Sequence, residues 1–292
     1  MKKQLLTLAS LFTLTFSAFA QDIKESTTDI NATTQTCIMA SYTMTYDVVD
    51  GAWAKKMSDM KFSKPSKTKD GYKMYKGIII PEISAKSMDY YVKIDDRKPN
   101  TNFYLLMSLG YTNFLSRNAG DSVALDNAKA FMTKFMVDLN AFQLNKDIVA
   151  QNEAISAIEK RLKNASKQEE SLNKEKGKIQ SKISSNEIEI QALKSDMEAQ
   201  QTALEAVKQK TATIDQMEAL KKEVSKQEEA TKKATKKYEK ALESAGEYKN
   251  DLQKNESDLN DNATEQQKIK AELSEANNKL EDLKKQLAAL KP

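Results

Sequence analysis

From Asp147 to Lys291 the chain carries no proline, and Gly177 and Gly246 are the two glycines in that stretch. So long a run without a breaker, rich in Lys, Glu, Gln, Ala and Leu, has few options other than helix. A helix of that length needs an apolar stripe and something to bury it against. The stripe is present. Ile148, Ile155, Leu162, Ile183, Ile190, Met197 and Leu204 share one heptad position. Ile158, Ala165, Leu172, Ile179, Leu193, Val207 and Ile214 stand three residues further on. Steps of three and four in alternation are the seam of a coiled coil. Glu169, Lys176, Asn186 and Gln200 interrupt it with polar side chains.

A second seam follows. Met217, Val224, Tyr238, Ala245, Leu252, Leu259, Leu273, Leu280 and Leu287 hold one position; Leu220, Ala234, Ala241, Tyr248, Ile269, Ala276, Leu283 and Leu290 hold the other. The two seams are out of phase, because Ile214 to Met217 is a step of three where the repeat requires four. Thr211 and Thr213 are poor helix formers, and Asp215 with Glu218 has capping-box spacing. A turn is therefore expected near residues 211–215, folding residues 147–291 into an antiparallel hairpin. A fold about residue 212 sets Tyr248 opposite Gly177 and Tyr238 opposite Ser184, Ser185 and Asn186. It also sets the polar stretch from Asn255 to Gln266 opposite Ala165 and Glu169. A continuous helix paired with a second chain is the competing arrangement.

Residues 1–20 read as a secretory signal peptide. Lys2 and Lys3 precede the apolar run Leu5 to Phe16, and Ala18-Phe19-Ala20 forms a small-residue cleavage site before Gln21. The expected location is a bacterial periplasm, with the extracellular space as the alternative, and no later run is long enough to span a bilayer. Residues 21–36, polar and rich in Thr and Asp, read as a flexible leader.

Aromatic and β-branched residues concentrate in 37–146, the expected head domain. Ile38, Ala40, Tyr42, Met44 and Tyr46 alternate as a strand. Trp53, Met57 and Met60 have helical spacing within Asp50 to Phe62. Strands are expected at Tyr72 to Ile80, at Met88 to Ile94 and along Phe103, Leu105, Met107 and Leu109. Asp95 to Asn100 is read as the turn between the last two, with Pro99 as a breaker. Asp121 then caps a helix whose inner face is Ala128, Phe131, Phe135, Leu139 and Phe142. The order β-α-β-β-β-α predicts a small two-layer α+β head, with its last helix running into the coiled coil. Tyr75 and Tyr91 are expected on exposed strand faces.

The runs YKGIIIPEIS, MDYYVKIDD and FYLLMSLGYTNFLS, followed by a helix entering a Lys/Glu-rich coiled coil, resemble exported coiled-coil proteins of Bacteroidota that have no assigned activity. The resemblance implies an exported protein and transfers no functional residue. In architecture the chain is also similar to Skp-type periplasmic holdases, which join a β body to helical-hairpin tentacles. It departs from them in ending on a helix, with no returning strand.

The chemistry is bounded by what is missing. With no histidine, Ser-His-Asp and Cys-His catalysis and histidine-ligated zinc are excluded. The single Cys37 allows no intrachain disulfide; on a strand it is a buried structural thiol or, if exposed, a cross-link between chains. No glycine-rich phosphate loop is present. Asp95 and Asp96 beside Arg97 are the densest acidic site of the head, in a position where a turn explains them. No catalytic, cofactor-binding or metal-binding residue is therefore expected, and no cofactor. A net charge of +4 is not a nucleic-acid-binding profile. Lys232, Lys233, Lys236, Lys237 and Lys240 form one basic cluster, a solvated face or a weak contact for an anionic surface. These features point to a non-enzymatic structural or adaptor protein of the envelope, with the coiled coil as spacer, docking surface or self-association element. A periplasmic holdase for exported proteins is the alternative.

Overall fold

A computed structural model describes residues 22–97, 100–110, 112–210 and 213–290. Residues 1–20, read above as a signal peptide, lie outside the described residues. The chain divides into two compact units. One is the head, through Ala150, together with the end of the last helix from Glu281; the other is Gln151–Leu280.

The head is an antiparallel six-stranded sheet with helices on one face. Its strands are β1 (Lys24–Ile30), β2 (Thr33–Tyr42), β3 (Ser66–Lys67), β4 (Lys73–Ile78), β5 (Met88–Arg97) and β6 (Asn100–Ser108), in the spatial order β1-β2-β6-β5-β4-β3. Between β2 and β3 lies α1 (Tyr46–Asp59); after β6 comes α2 (Ser122–Lys208).

The first correction is at the leader. Lys24 to Ile30 is a full strand, paired from Lys24↔Met39 to Ile30↔Thr33. Its three β-branched residues and alternating burial suit an edge strand with one wet face. Asn31 and Ala32 make the two-residue turn, both at positive φ (51° and 57°), as a tight hairpin with right-handed strand twist requires.

The face of the sheet under the helices holds the larger core. Ile38, Ala40 and Tyr42 from β2, Tyr90 and Val92 from β5, and Phe103, Leu105 and Met107 from β6 meet Trp53 and Met57 of α1 and Phe131, Phe135 and Leu139 of α2. These are the expected alternations. Trp53 is the hub: its ring lies 4.9 Å from Phe103, 5.5 Å from Phe135 and 6.2 Å from Phe131. Phe142 closes over α1 at Gly51, where a Cβ would come within 2.6 Å of the Phe142 ring. Leu109 lies past the end of β6 and is exposed.

The opposite face is also covered. Ile30, Cys37, Tyr72, Tyr91, Tyr104, Leu106 and Phe114 form a second buried cluster. The sheet curls until its two edges touch: the Tyr72 hydroxyl, just before β4, donates to Asp29 O (3.0 Å) and shares a hydrogen bond with Thr28 Oγ1 (2.8 Å). Asn31 N donates to Asp70 Oδ2 at 2.8 Å across the same gap. The expected exposure of Tyr75 and Tyr91 is overturned on both faces, Tyr91 being covered by this curl and Tyr75 by the helix-side core. Tyr75 packs edge-on to Trp53 at 6.4 Å, and Tyr91 lies against Phe114 at 5.4 Å.

The second unit is the helical hairpin. α2 continues without a break to Lys208, and α3 (Met217–Ala289) returns antiparallel to it. Among the residues whose burial is described, the apolar seam residues of both arms are at least partly buried, Met217 excepted, while most of their neighbours are exposed. A short 3-10 turn, Ile214–Gln216, enters α3. Its cap differs from the expected one. Thr213 N donates to Gln216 Oε1 (3.5 Å) and Gln216 N to Thr213 O (2.9 Å), so Gln216 supplies the side-chain half of a cap, and Glu218 instead pairs with Lys222. The chain is an α+β head followed by an antiparallel helical hairpin.

Candidate functional site

Asp95 and Asp96 do not sit in a turn. β5 runs on to Arg97, and the two aspartates face Asn102 and Thr101 across the ladder. Asp95 stands 4.0 Å from Lys93, a structural pairing on a strand; Lys98 and Pro99 lie outside the described residues. Among the described residues no group of three or more Cys, Asp or Glu could hold a metal ion, and no helix is long and apolar enough to cross a membrane.

Cys37 lies on β2 opposite Ser26, fully buried in the second cluster. Burial pushes its thiol up to about 12, and the Glu25 charge adds to the shift. A thiol held protonated inside the sheet is neither a nucleophile nor a cross-linking group. Asp121 stands at the start of α2, with its carboxylate turned back to accept from Ser116 N at 3.2 Å.

The hairpin carries the most regular arrangement of polar groups. Gln227, Asn255 and Asn262 share a heptad position with buried Ala234, Ala241, Ile269 and Ala276. Each reaches across to a main-chain carbonyl of the other arm. Asn262 Nδ2 donates to Ala165 O (3.1 Å), Asn255 Nδ2 to Leu172 O (3.2 Å) and Gln227 Nε2 to Gln200 O (3.1 Å). From the first arm Gln151 Nε2 donates to Ala276 O at 2.9 Å. The register is constant: each advance of seven residues along α2 is a retreat of seven along α3. Gln266 Nε2 adds bonds to Glu169 Oε2 (2.7 Å) and Asn262 Oδ1 (2.8 Å). The expected pairing of Asn255 to Gln266 with the stretch around Ala165 and Glu169 is thus present. The expected seating of Tyr248 on Gly177 is not, since a Cβ there would meet nothing within 4 Å. Tyr248 instead lies under the Lys182 ammonium, 5.5 Å from its ring centre.

These amides explain the polar interruptions of the seam. An unpaired amide buried between helices costs about 1–3 kcal/mol, and one bonded to the facing backbone does not. Among the described residues of the hairpin, two buried acceptors stay unmatched, Asn186 Oδ1 and Asn255 Oδ1.

The outer faces are charged in blocks. Ala234 and Ala241 face the other arm, so Lys232, Lys233, Lys236 and Lys240 lie outward, with Lys237 on the flank. All five are exposed, and Lys233 alone among them has an ion pair among the described residues, with Glu229 at 2.8 Å. Level with this block by the same register, α2 carries Glu187, Glu189 and Lys194, while Asp196, Glu198 and Glu205 lie nearer the turn; all are exposed. Further from the turn, α2 is basic from Lys160 to Lys182 and α3 acidic from Asp251 to Glu265. There the arms are joined by Arg161–Glu265 (3.4 Å), Arg161–Glu272 (2.6 Å) and Lys176–Glu256 (2.9 Å). The sequence pointed to the lysines; the ion pairs between the arms required the register. Comparison with protein-family models, curated proteins and solved structures returned no match to this chain.

Proposed function

We propose that this is an exported, non-enzymatic structural or adaptor protein of a bacterial envelope, in which the helical hairpin is a stiff spacer and docking rod. The observation that carries this reading is the constant register of the hairpin, held by amide-to-carbonyl bonds from Gln151–Ala276 up to Gln200–Gln227. The hairpin arm in this unit runs roughly 85 Å at 1.5 Å per residue. A zipped rod with exposed charged faces suits contact along its outside. The signal-peptide reading of residues 1–20 supports export to the periplasm, or alternatively beyond the cell. The resemblance to exported coiled-coil proteins of Bacteroidota points the same way. The holdase alternative needs apolar surface for clients, and the seam is closed by the other arm, which favours the spacer.

The test is cross-linking in cells of the native host, followed by capture of the mature protein. One partner in near-equal amount is the expected result. A broad spread of exported β-barrel proteins would overturn the spacer in favour of the holdase.

A further inference from the structure

The curled sheet of the head has an opening. Tyr72 closes the curl just before β4, and a cavity of about 420 Å³ lies at the other end of that strand. Its walls are Met74, Met88, Tyr91 and Leu109. Sites of this kind recur in the mouths of β-barrels. A bulge builds the polar end. β4 loses register between Tyr75 and Ile78, where Gly77 stands at φ 61°. The bulge takes the Gly77 amide out of the ladder, and Gly77 N donates to Asp89 Oδ1 at 2.7 Å.

Among the described residues Asp89 is the one charged residue that is buried, at 9% exposure, and it lines the cavity. Its Oδ1 is taken by Gly77. In the same set its Oδ2 has no hydrogen-bond partner, and no lysine or arginine forms an ion pair with it. Lys76, at the rim, is exposed and also lacks an ion pair there. A carboxylate withdrawn from water without a counter-charge is costly, and one amide bond offsets only part of that cost. Burial pushes the Tyr91 hydroxyl up, and the Asp89 charge adds to the shift.

We infer that this cavity binds a primary ammonium group on a short alkyl stem, with Asp89 as its counter-charge. The carboxylate sets the sign of the ligand. The open oxygen sets its shape. A guanidinium fork matches two carboxylate oxygens, and Gly77 N holds one of them, whereas an ammonium acts as a point charge. One carboxylate is too few oxygen ligands for calcium or magnesium. A second acceptor is the Ser87 hydroxyl, 3.7 Å from where a Cβ on Gly77 would stand. The stem lies along Met74 and Leu109, the latter 39% exposed at the rim. Tyr91 adds an aromatic wall, which also suits a cation. A free alkylamine and a lysine side chain of a polypeptide both carry this group. The site belongs to the head and does not rest on the spacer role of the hairpin.

A titration of the full mature chain tests this, read by nuclear magnetic resonance of isotope-labelled methionine methyls at neutral pH. The probes are n-pentylamine, n-pentanol and the peptide acetyl-Ala-Lys-Ala-amide. The Met74 and Met88 signals are identified with Met74→Leu and Met88→Leu. Pentylamine is expected to shift both signals saturably, with a dissociation constant on the order of 1 mM. Pentanol has the same stem without the charge and is expected to bind at least about tenfold more weakly. Asp89→Asn keeps an oxygen for Gly77 N and removes the charge. It is expected to weaken pentylamine binding by about tenfold or more, with Trp53 fluorescence and circular dichroism unchanged. Lys76→Met removes a like charge from the rim and is expected to tighten binding by up to about fivefold.

If pentylamine well above that concentration leaves both signals unmoved, in the wild type and in Lys76→Met, the inference is overturned. Pentanol binding as tightly as pentylamine overturns it too, in a comparison that needs no variant. Unchanged affinity in a folded Asp89→Asn does the same. Tighter binding of the peptide assigns the group to a lysine of a polypeptide, and tighter binding of the amine to a free alkylamine; both results support the site.

Discussion

Gly51 shows how little slack the head has. A methyl group there would press on the Phe142 ring, although alanine is the better helix former by about 1 kcal/mol. Gly51→Ala should therefore destabilise the head by about 1–3 kcal/mol in denaturant unfolding, and Phe142→Leu in the same chain should recover most of the loss. Cys37 makes a different residue-scale prediction. Its thiol is raised from 9.0 to about 12, so the folded head keeps a proton that the unfolded chain releases first. Its contribution is intact below about pH 9 and is lost as pH climbs from there towards 12. Burial likewise raises Tyr42, and Tyr90 to about 12, from an ordinary value of 10.0. Cys37→Ala should delay the alkaline decline to about pH 10, read from Trp53 fluorescence; an unchanged onset near pH 9 would exclude the thiol as its origin.

At the scale of elements, the hairpin tolerates polar layers because its amides face carbonyls. Asn186 is the test of that statement, since it is buried, its Oδ1 has no partner, and the register puts it level with small Ala241. Asn186→Leu should raise hairpin stability by about 1–2 kcal/mol in thermal circular dichroism; a lower melting point would mean that the amide is satisfied in solution. The hairpin was readable in advance because a phase slip between two seams is a local property of spacing. The turn's cap was misplaced by two residues, because Thr213-Gln216 and Asp215-Glu218 both have capping spacing and only geometry separates them. β1 was missed for another reason: KESTTDI has no apolar face until the curl of the sheet covers Ile30. The same curl buries Tyr91, and no strand-by-strand alternation encodes whether a sheet's second face is covered. The charge runs were visible as composition, but which of them form ion pairs between the arms depends on the register.

At the scale of the whole molecule, side-chain chemistry is partitioned between the units. The only aromatic residues in Gln151–Leu280 are Tyr238 and Tyr248, whereas Trp53 is the hub of the head core. The head is held by aromatic packing on both faces of a curled sheet, the hairpin by a narrow seam and amide bonds. Two such stabilisation modes should not melt as one. Heating followed by Trp53 fluorescence and by far-ultraviolet circular dichroism should give separate midpoints, the fluorescence reporting the head and the dichroism mainly the long helices. Coincident midpoints would show that the two units unfold cooperatively.

The constant register of the amides also gives the hairpin a mechanical step. If the arms are sheared along their length, a slip of less than seven residues takes apolar seam residues out of contact. The shortest move that restores a seam is one heptad, about 10.5 Å. That move sets Tyr248 level with Leu172 or with Asn186, and it strips Gln227 from Gln200 in either direction. Sliding would therefore proceed in discrete jumps, each detaching the four cross-arm tethers together. The rod should hold its length under steady load and yield in quantised steps when pulled across its arms in a force spectrometer.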